Sequence, residues 1–138
     1  MRARLAQAGF DADLLDERDL IIAIVPSKVL YGSGKTSIPF TYVNERGRTV
    51  IREHVTIHAS ANPEGLTIVG SDCLVQAHAH IGHDATVGDH VTIACFACIG
   101  GHAVVHAHAN LGLHAVLHQF TEVGEGTMVG ACAFAKGK

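Results

Sequence analysis

From Val69 onward an aliphatic residue returns at every sixth position. Cut there into sixes, the chain reads VGSDCL, VQAHAH, IGHDAT, VGDHVT, IACFAC, IGGHAV, VHAHAN, LGLHAV, LHQFTE, VGEGTM, VGACAF. The first place is Val, Ile or Leu in all eleven units; the fifth is Cys, Ala, Val or Thr, and Gly takes the second in seven. Ile51 and Ile57 hold the same phase upstream, with Val55 and Ala61 at their fifth places. A period of six fits neither a helix of 3.6 residues per turn nor a strand alternating every two. It fits a solenoid in which each six forms a short strand and a corner, and three sixes close a triangular coil of about 18 residues. The expectation is an all-β fold, a left-handed parallel β-helix of hexapeptide repeats with roughly four coils. The first places stack inside the prism, the fifth are small because they point in near a corner, and Gly at the second relieves the backbone where it bends.

Before Ile51 the phase is lost, which divides the chain into an irregular N-terminal segment (1–50) and the solenoid (51–138). Leu20–Val25 reads as a strand, Phe40–Val43 and Thr49–Ile51 as extended pieces around an Asn44–Gly47 turn, and residues 1–18 as a short helix. The segment ANPEG (61–65) is a loop leaving the solenoid.

Stacking at 18 residues sets Gly82 beside Gly100 and His118, His83 beside Gly101 and Gln119, and Asp84 beside His102 and Phe120. One face thus gathers His83, Gly101, His102, His118 and Gln119, with His80 at the preceding corner. A neutral imidazole can take a proton from a hydroxyl, and the Gly101 N–H can donate to a developing oxyanion. No cysteine and no Ser–His–Asp order fall in these columns, so direct transfer between two bound substrates fits better than a covalent acyl-enzyme. The other histidines, His54, His58, His78, His90, His106, His108 and His114, read as ordinary outward positions.

Charge narrows the choice of partner. Ten Lys and Arg against thirteen Asp and Glu give −3, against a nucleic-acid binder with a broad basic face. Apolar residues at 48% and charged ones at 17% exclude a disordered chain. No apolar run approaches bilayer length, so no membrane insertion is expected. The acidic N-terminal stretch MRARLAQAGFDADLLDERD lacks a signal-peptide core, and four irregularly spaced cysteines suit a reducing compartment, so a cytoplasmic setting is expected.

The segments AHIGHDATVG (79–88), IGGH (99–102) and AVLHQF (115–120), flanked by IREHVTIH (51–58), GLTIVGSD (65–72) and VGEGTMVG (123–130), resemble the UDP-N-acetylglucosamine O-acyltransferases that begin lipid A synthesis. That resemblance implies a fatty acyl group moved from an acyl carrier protein thioester to the sugar 3-hydroxyl, without a further cofactor or metal, in a homotrimer with sites between subunits. It implies His83 as the general base, Gly101 as oxyanion donor, and His80, His102, His118 and Gln119 as residues that orient the sugar nucleotide. The chain departs from the family in PSKVLY (26–31), where Ser27, Lys28 and Leu30 replace a Gln–Asp pair and a Lys, and it is shorter at both ends.

Other patterns carry less. GSGKTS (32–37) lacks the first glycine of a phosphate loop, position 29 being Val, and SIPFTYV after it is strand-like. CFAC (95–98) has no second pair to complete a four-cysteine zinc site. Two alternatives remain: an inactive structural trimer or fragment derived from such an enzyme, and a zinc enzyme of the γ-carbonic anhydrase type, for which His78 and His83 have the required spacing of five.

Overall fold

A computed structural model describes residues 36–38, 42–43, 49–60, 62 and 65–137. Two strands precede the coils, β1 (Thr36–Ile38) and β2 (Tyr42–Val43); the first rungs of the solenoid are β3 (Val50–Ile51) and β4 (Val55–Ile57). The chain winds as a left-handed parallel β-helix of about four turns with three walls. One wall stacks Ile51, Val75, Ile93, Leu111 and Val129 in register. The second stacks Ile57, Ile81, Ile99, Leu117 and Ala135, and the third Val69, Val87, Val105 and Val123.

These first-place residues are the core. Val75, Ile81, Ile93, Ile99 and Leu111 have no exposed surface, and neither do the fifth-place residues Ala79, Ala85, Val91, Ala97, Ala103 and Ala115. Large side chains at the strand centres and small ones beside the corners together fill the triangular section. The hydrophobic reading of the hexad therefore holds at both places.

The bend lies elsewhere than expected. Positive φ recurs at the fourth place, from His78 (61°) through Asp84 (60°), Phe96 (61°) and His102 (59°) to Phe120 (62°) and Cys132 (58°). Most corners are closed by a bond from the fifth-place N–H to the second-place carbonyl, as in Ala103 N–H to Gly100 O at 3.3 Å. This is a four-residue turn with its third residue left-handed. Second-place glycine serves close approach instead. A Cβ at Gly82 would lie 2.6 Å from the backbone N of Gly101 in the next coil, and one at Gly100 would lie 2.6 Å from that of Gln119.

Because every corner residue points outward, side chains stack up the three edges. One edge carries His54, His78, Phe96 and His114 ring on ring, with centroids 4.7–4.9 Å apart. A second stacks His90 on His108 at 4.8 Å. The third runs Asp84, His102, Phe120, the two rings 4.8 Å apart and nearly parallel.

Strands β1 and β2 run antiparallel to β4 and β3 respectively, so the segment before the repeat adds to two walls of the first coil. The strand at Thr36–Ile38, where a phosphate loop would begin a helix, removes that reading of GSGKTS. The strand expected at Leu20–Val25, the helix at 1–18 and the turn at Asn44–Gly47 lie outside the described residues.

Candidate functional site

The first coil is six residues longer than the rest, since Ile57 pairs with Ile81 whereas later partners are 18 apart. The loop expected at 61–65 lies mostly outside the described residues, but Ser60, Gly65 and Thr67 around it lie against one corner. There Ser60 Oγ donates to Asp84 Oδ1, and the Asp84 backbone N–H donates to Thr67 Oγ1 at 2.8 Å. Gly65 makes room: a Cβ there would run into Ser60 Oγ and lie 2.6 Å from Asp84 Oδ1. Ser60 and Thr67 are buried, so one carboxylate oxygen is committed to the loop.

The other oxygen is given to His83. Nδ1 of His83 lies 2.8 Å from Asp84 Oδ2. With Asp84 as the carboxylate, Nδ1 carries the proton and donates, which leaves the Nε2 lone pair available. The imidazole is 38% exposed and its partner carboxylate 12%, so the base faces solvent and its anchor does not. Nε2 lies over Gly101, where a Cβ would come within 2.6 Å of it; any side chain at 101 would displace the ring. The Gly101 carbonyl accepts from Phe120 N–H at 3.0 Å.

His102 crosses the His83 ring edge-on with centroids 5.0 Å apart, and its Nε2 is 3.8 Å from Asp84 Oδ2. That is ion-pair range and too long for a hydrogen bond. His83, Gly101 and His102 thus come together as the 18-residue columns require. His118 and Gln119 lie one coil further on, both exposed, with His118 Nδ1 donating to the Gln119 carbonyl at 3.1 Å. His80 is not at a corner: it lies in the strand His80–Ile81, with Nδ1 2.7 Å from Thr56 Oγ1 and its ring edge against His58. The fourth-place residue of its hexad, His78, holds the corner and belongs to another edge of the prism.

Asp84 and Phe120 are the members that the sequence reading left out, although their column with His102 was in view. The missing signal was the left-handed corner, which turns a fourth-place side chain back over its neighbours at the third. Among the described residues, His83, Asp84 and His102 also form the group whose ligand atoms all lie within 4.8 Å of one another, as a metal site requires. The His78–His83 pair considered for zinc is not in it.

Residues 66–101 match the family described as bacterial transferase hexapeptide (six repeats), a stretch that includes His80, His83, Asp84 and Gly101. The acyl-(acyl-carrier-protein)–UDP-N-acetylglucosamine O-acyltransferase of Chlorobaculum tepidum is 38% identical over 60 residues, 44% of this chain and 21% of that protein. The enzyme of the same name from Chlorobaculum parvum is 40% identical over 60 residues, with the same coverage. The match thus spans about a fifth of these relatives' length. Among solved structures, an Arabidopsis UDP-N-acetylglucosamine acyltransferase superposes with a TM-score of 0.58 at 33% identity, over 59% of this chain and 28% of that one. In repeat, in sequence and in fold, the solenoid of this chain resembles the UDP-N-acetylglucosamine O-acyltransferases over the residues matched.

Proposed function

We propose that the chain transfers an acyl group from an acyl carrier protein thioester to the 3-hydroxyl of UDP-N-acetylglucosamine, with His83 as the general base. The observation that carries this reading is the 2.8 Å bond from His83 Nδ1 to Asp84, which holds the imidazole in the tautomer with Nε2 unprotonated. Nε2 takes the proton of the sugar hydroxyl as its oxygen attacks the thioester carbon. The Gly101 N–H, which no described acceptor engages, donates to the oxyanion of the tetrahedral intermediate. Collapse of the intermediate breaks the carbon–sulfur bond, and the departing thiolate takes the proton back from the His83 imidazolium. His80, His102, His118 and Gln119 offer polar contacts to the sugar nucleotide along the same face.

The reaction uses no metal or further cofactor in this scheme, and its carrier-protein donor places it in the cytoplasm. No helix among the described residues is long and apolar enough to cross a membrane. The working assembly is a homotrimer. Leu113, Val116, Phe120, Met128 and Phe134 are exposed apolar side chains on the later coils, which a second subunit would cover.

His83→Ala is expected to lower turnover of thioester in the presence of UDP-N-acetylglucosamine by about two to four orders of magnitude. A near-native rate in that variant removes His83 from the mechanism. A folded wild-type trimer that turns over no thioester supports the alternative of a structural trimer.

A further inference from the structure

We infer that His83, Asp84 and His102 form a binding site for a divalent transition metal of the zinc class, on the same imidazole that would serve as base. The three side chains each offer one ligand atom, all within 4.8 Å of one another. Two of the separations are 2.8 Å, from His83 Nδ1 to Asp84 Oδ2, and 3.8 Å, from His102 Nε2 to the same oxygen. Tetrahedral zinc with nitrogen and oxygen ligands at about 2.0–2.1 Å holds them roughly 3.3 Å apart. The observed separations bracket that spacing, and the half-exposed His102 ring closes the difference by turning about its own bonds.

Two imidazoles and a carboxylate are a donor set that zinc, cobalt(II) and nickel(II) all accept. The set is also supported from behind. Ser60 Oγ holds the far oxygen of Asp84, Thr67 Oγ1 fixes its backbone, and Phe120 stacks on His102. Such outer contacts orient the ligands before the ion arrives. Three protein ligands leave a fourth position for water.

Binding an ion through Nδ1 displaces the hydrogen bond to Asp84 and moves the ring proton to Nε2. The lone pair needed by a base is then gone, so the ion inhibits by replacing one tautomer with the other. The site itself rests on the three side chains alone; the inhibition rests on the acyl-transfer reading.

The full chain, freed of metal by dialysis against a chelator, is titrated with Zn2+ by calorimetry and with Co2+ by visible absorption. Expected are saturable uptake of one ion per chain and cobalt ligand-field bands. His102→Gln and Asp84→Asn are each expected to weaken both by about tenfold or more, and His114→Gln, on another edge, to change neither. Circular dichroism checks the fold of each variant; if Asp84→Asn does not fold, the exposed His102→Gln carries the test. No saturable binding by the native chain, or binding unaltered in His102→Gln, overturns the proposal. Thioester turnover is measured separately with and without Zn2+. A chain that binds Zn2+ through these residues but turns over no thioester keeps the site and loses the acyl-transfer reading. An active enzyme that Zn2+ leaves at full rate while occupying the site overturns the inhibition.

Discussion

Gly112 and Gly130 occupy the same place in successive coils, yet alanine is expected to act differently at each. A Cβ at Gly112 would lie 2.6 Å from Ala131 N, 2.9 Å from Gly130 C and 3.0 Å from Ala131 Cα. All three are backbone atoms of the next coil, so no flexible side chain can swing away. Ordinary contact begins at 3.4 Å, which requires the coils to part by 0.8 Å at this point. The hydrogen bond from Gly112 N–H to Val129 O, now 2.8 Å, would then stretch to about 3.6 Å and be lost. Overpacking of this kind costs about 1–3 kcal/mol, and the hydrogen bond adds about 1. Against this, alanine restricts the unfolded chain by about 0.4–1 kcal/mol, a gain available because neither glycine has positive φ.

The net expectation for Gly112→Ala is a loss of about 1–3 kcal/mol. At Gly130 no described atom lies within 4 Å of the added Cβ, and the expected change is between zero and a gain of about 1 kcal/mol. Urea unfolding followed by circular dichroism, at one fixed protein concentration because association adds stability, should separate the variants by about 2 kcal/mol. Equal midpoints would refute close approach as the reason for second-place glycine.

The remaining expectations concern the core, the corner loop and a buried thiol. Ile93→Ala, fully buried at mid-stack, should cost about 2–5 kcal/mol in the same urea assay. Gly65→Ala drives a Cβ into the Ser60–Asp84 contact and should lower kcat by about tenfold with less effect on KM; an unchanged kcat would detach the loop from the site. Burial pushes the Cys73 thiol up from 9.0 to about 11, while its Sγ lies 3.1 Å from the Gly88 carbonyl. The unfolded thiol ionises first, so this group's contribution is full below about pH 9 and is lost between about 9 and 11. Thermal unfolding should therefore fall more steeply across that window in the native chain than in Cys73→Ala, and the exposed Cys132 should alkylate long before Cys73.

Most of the solenoid was legible because burial leaves a direct compositional mark. A residue that must fit inside a triangular prism can be Ile or Leu at a strand centre and only something small beside a corner, and no other arrangement gives eleven units in phase. The corners were harder. His, Asp, Phe and Cys share the fourth place and have little in common as side chains, so the position looked like free surface. What unites them is the backbone, since Asp and His are among the residues that tolerate left-handed φ, and the phenylalanines lie in ring stacks with His102, His78 and His114. Glycine was misread for a related reason: its presence says that a Cβ is forbidden, and only the neighbouring coil shows whether a torsion angle or a steric clash forbids it.

The site depends on a departure from the repeat. Without the extra length in the first coil, Asp84 at its corner would lack the Ser60 contact to its carboxylate and the Thr67 contact to its backbone. Six extra residues let Ser60, Gly65 and Thr67 close over Asp84, so that one oxygen and the backbone are tied down by buried hydroxyls. The remaining oxygen is thereby aimed at His83, and the glycine at 101 keeps the imidazole from being pushed aside. Regular coils supply the stiffness and the spacing of 18 that bring His83, Gly101 and His102 together. The interruption supplies the hydroxyls of Ser60 and Thr67, which hold Asp84 so that it fixes one ring in one tautomer. Sequence periodicity reveals the first and is blind to the second, because a loop's contribution lies in where it returns and not in its composition. The same logic locates further functional corners in such a prism: they are expected where the count of eighteen fails, beside the residues that the extra length can reach.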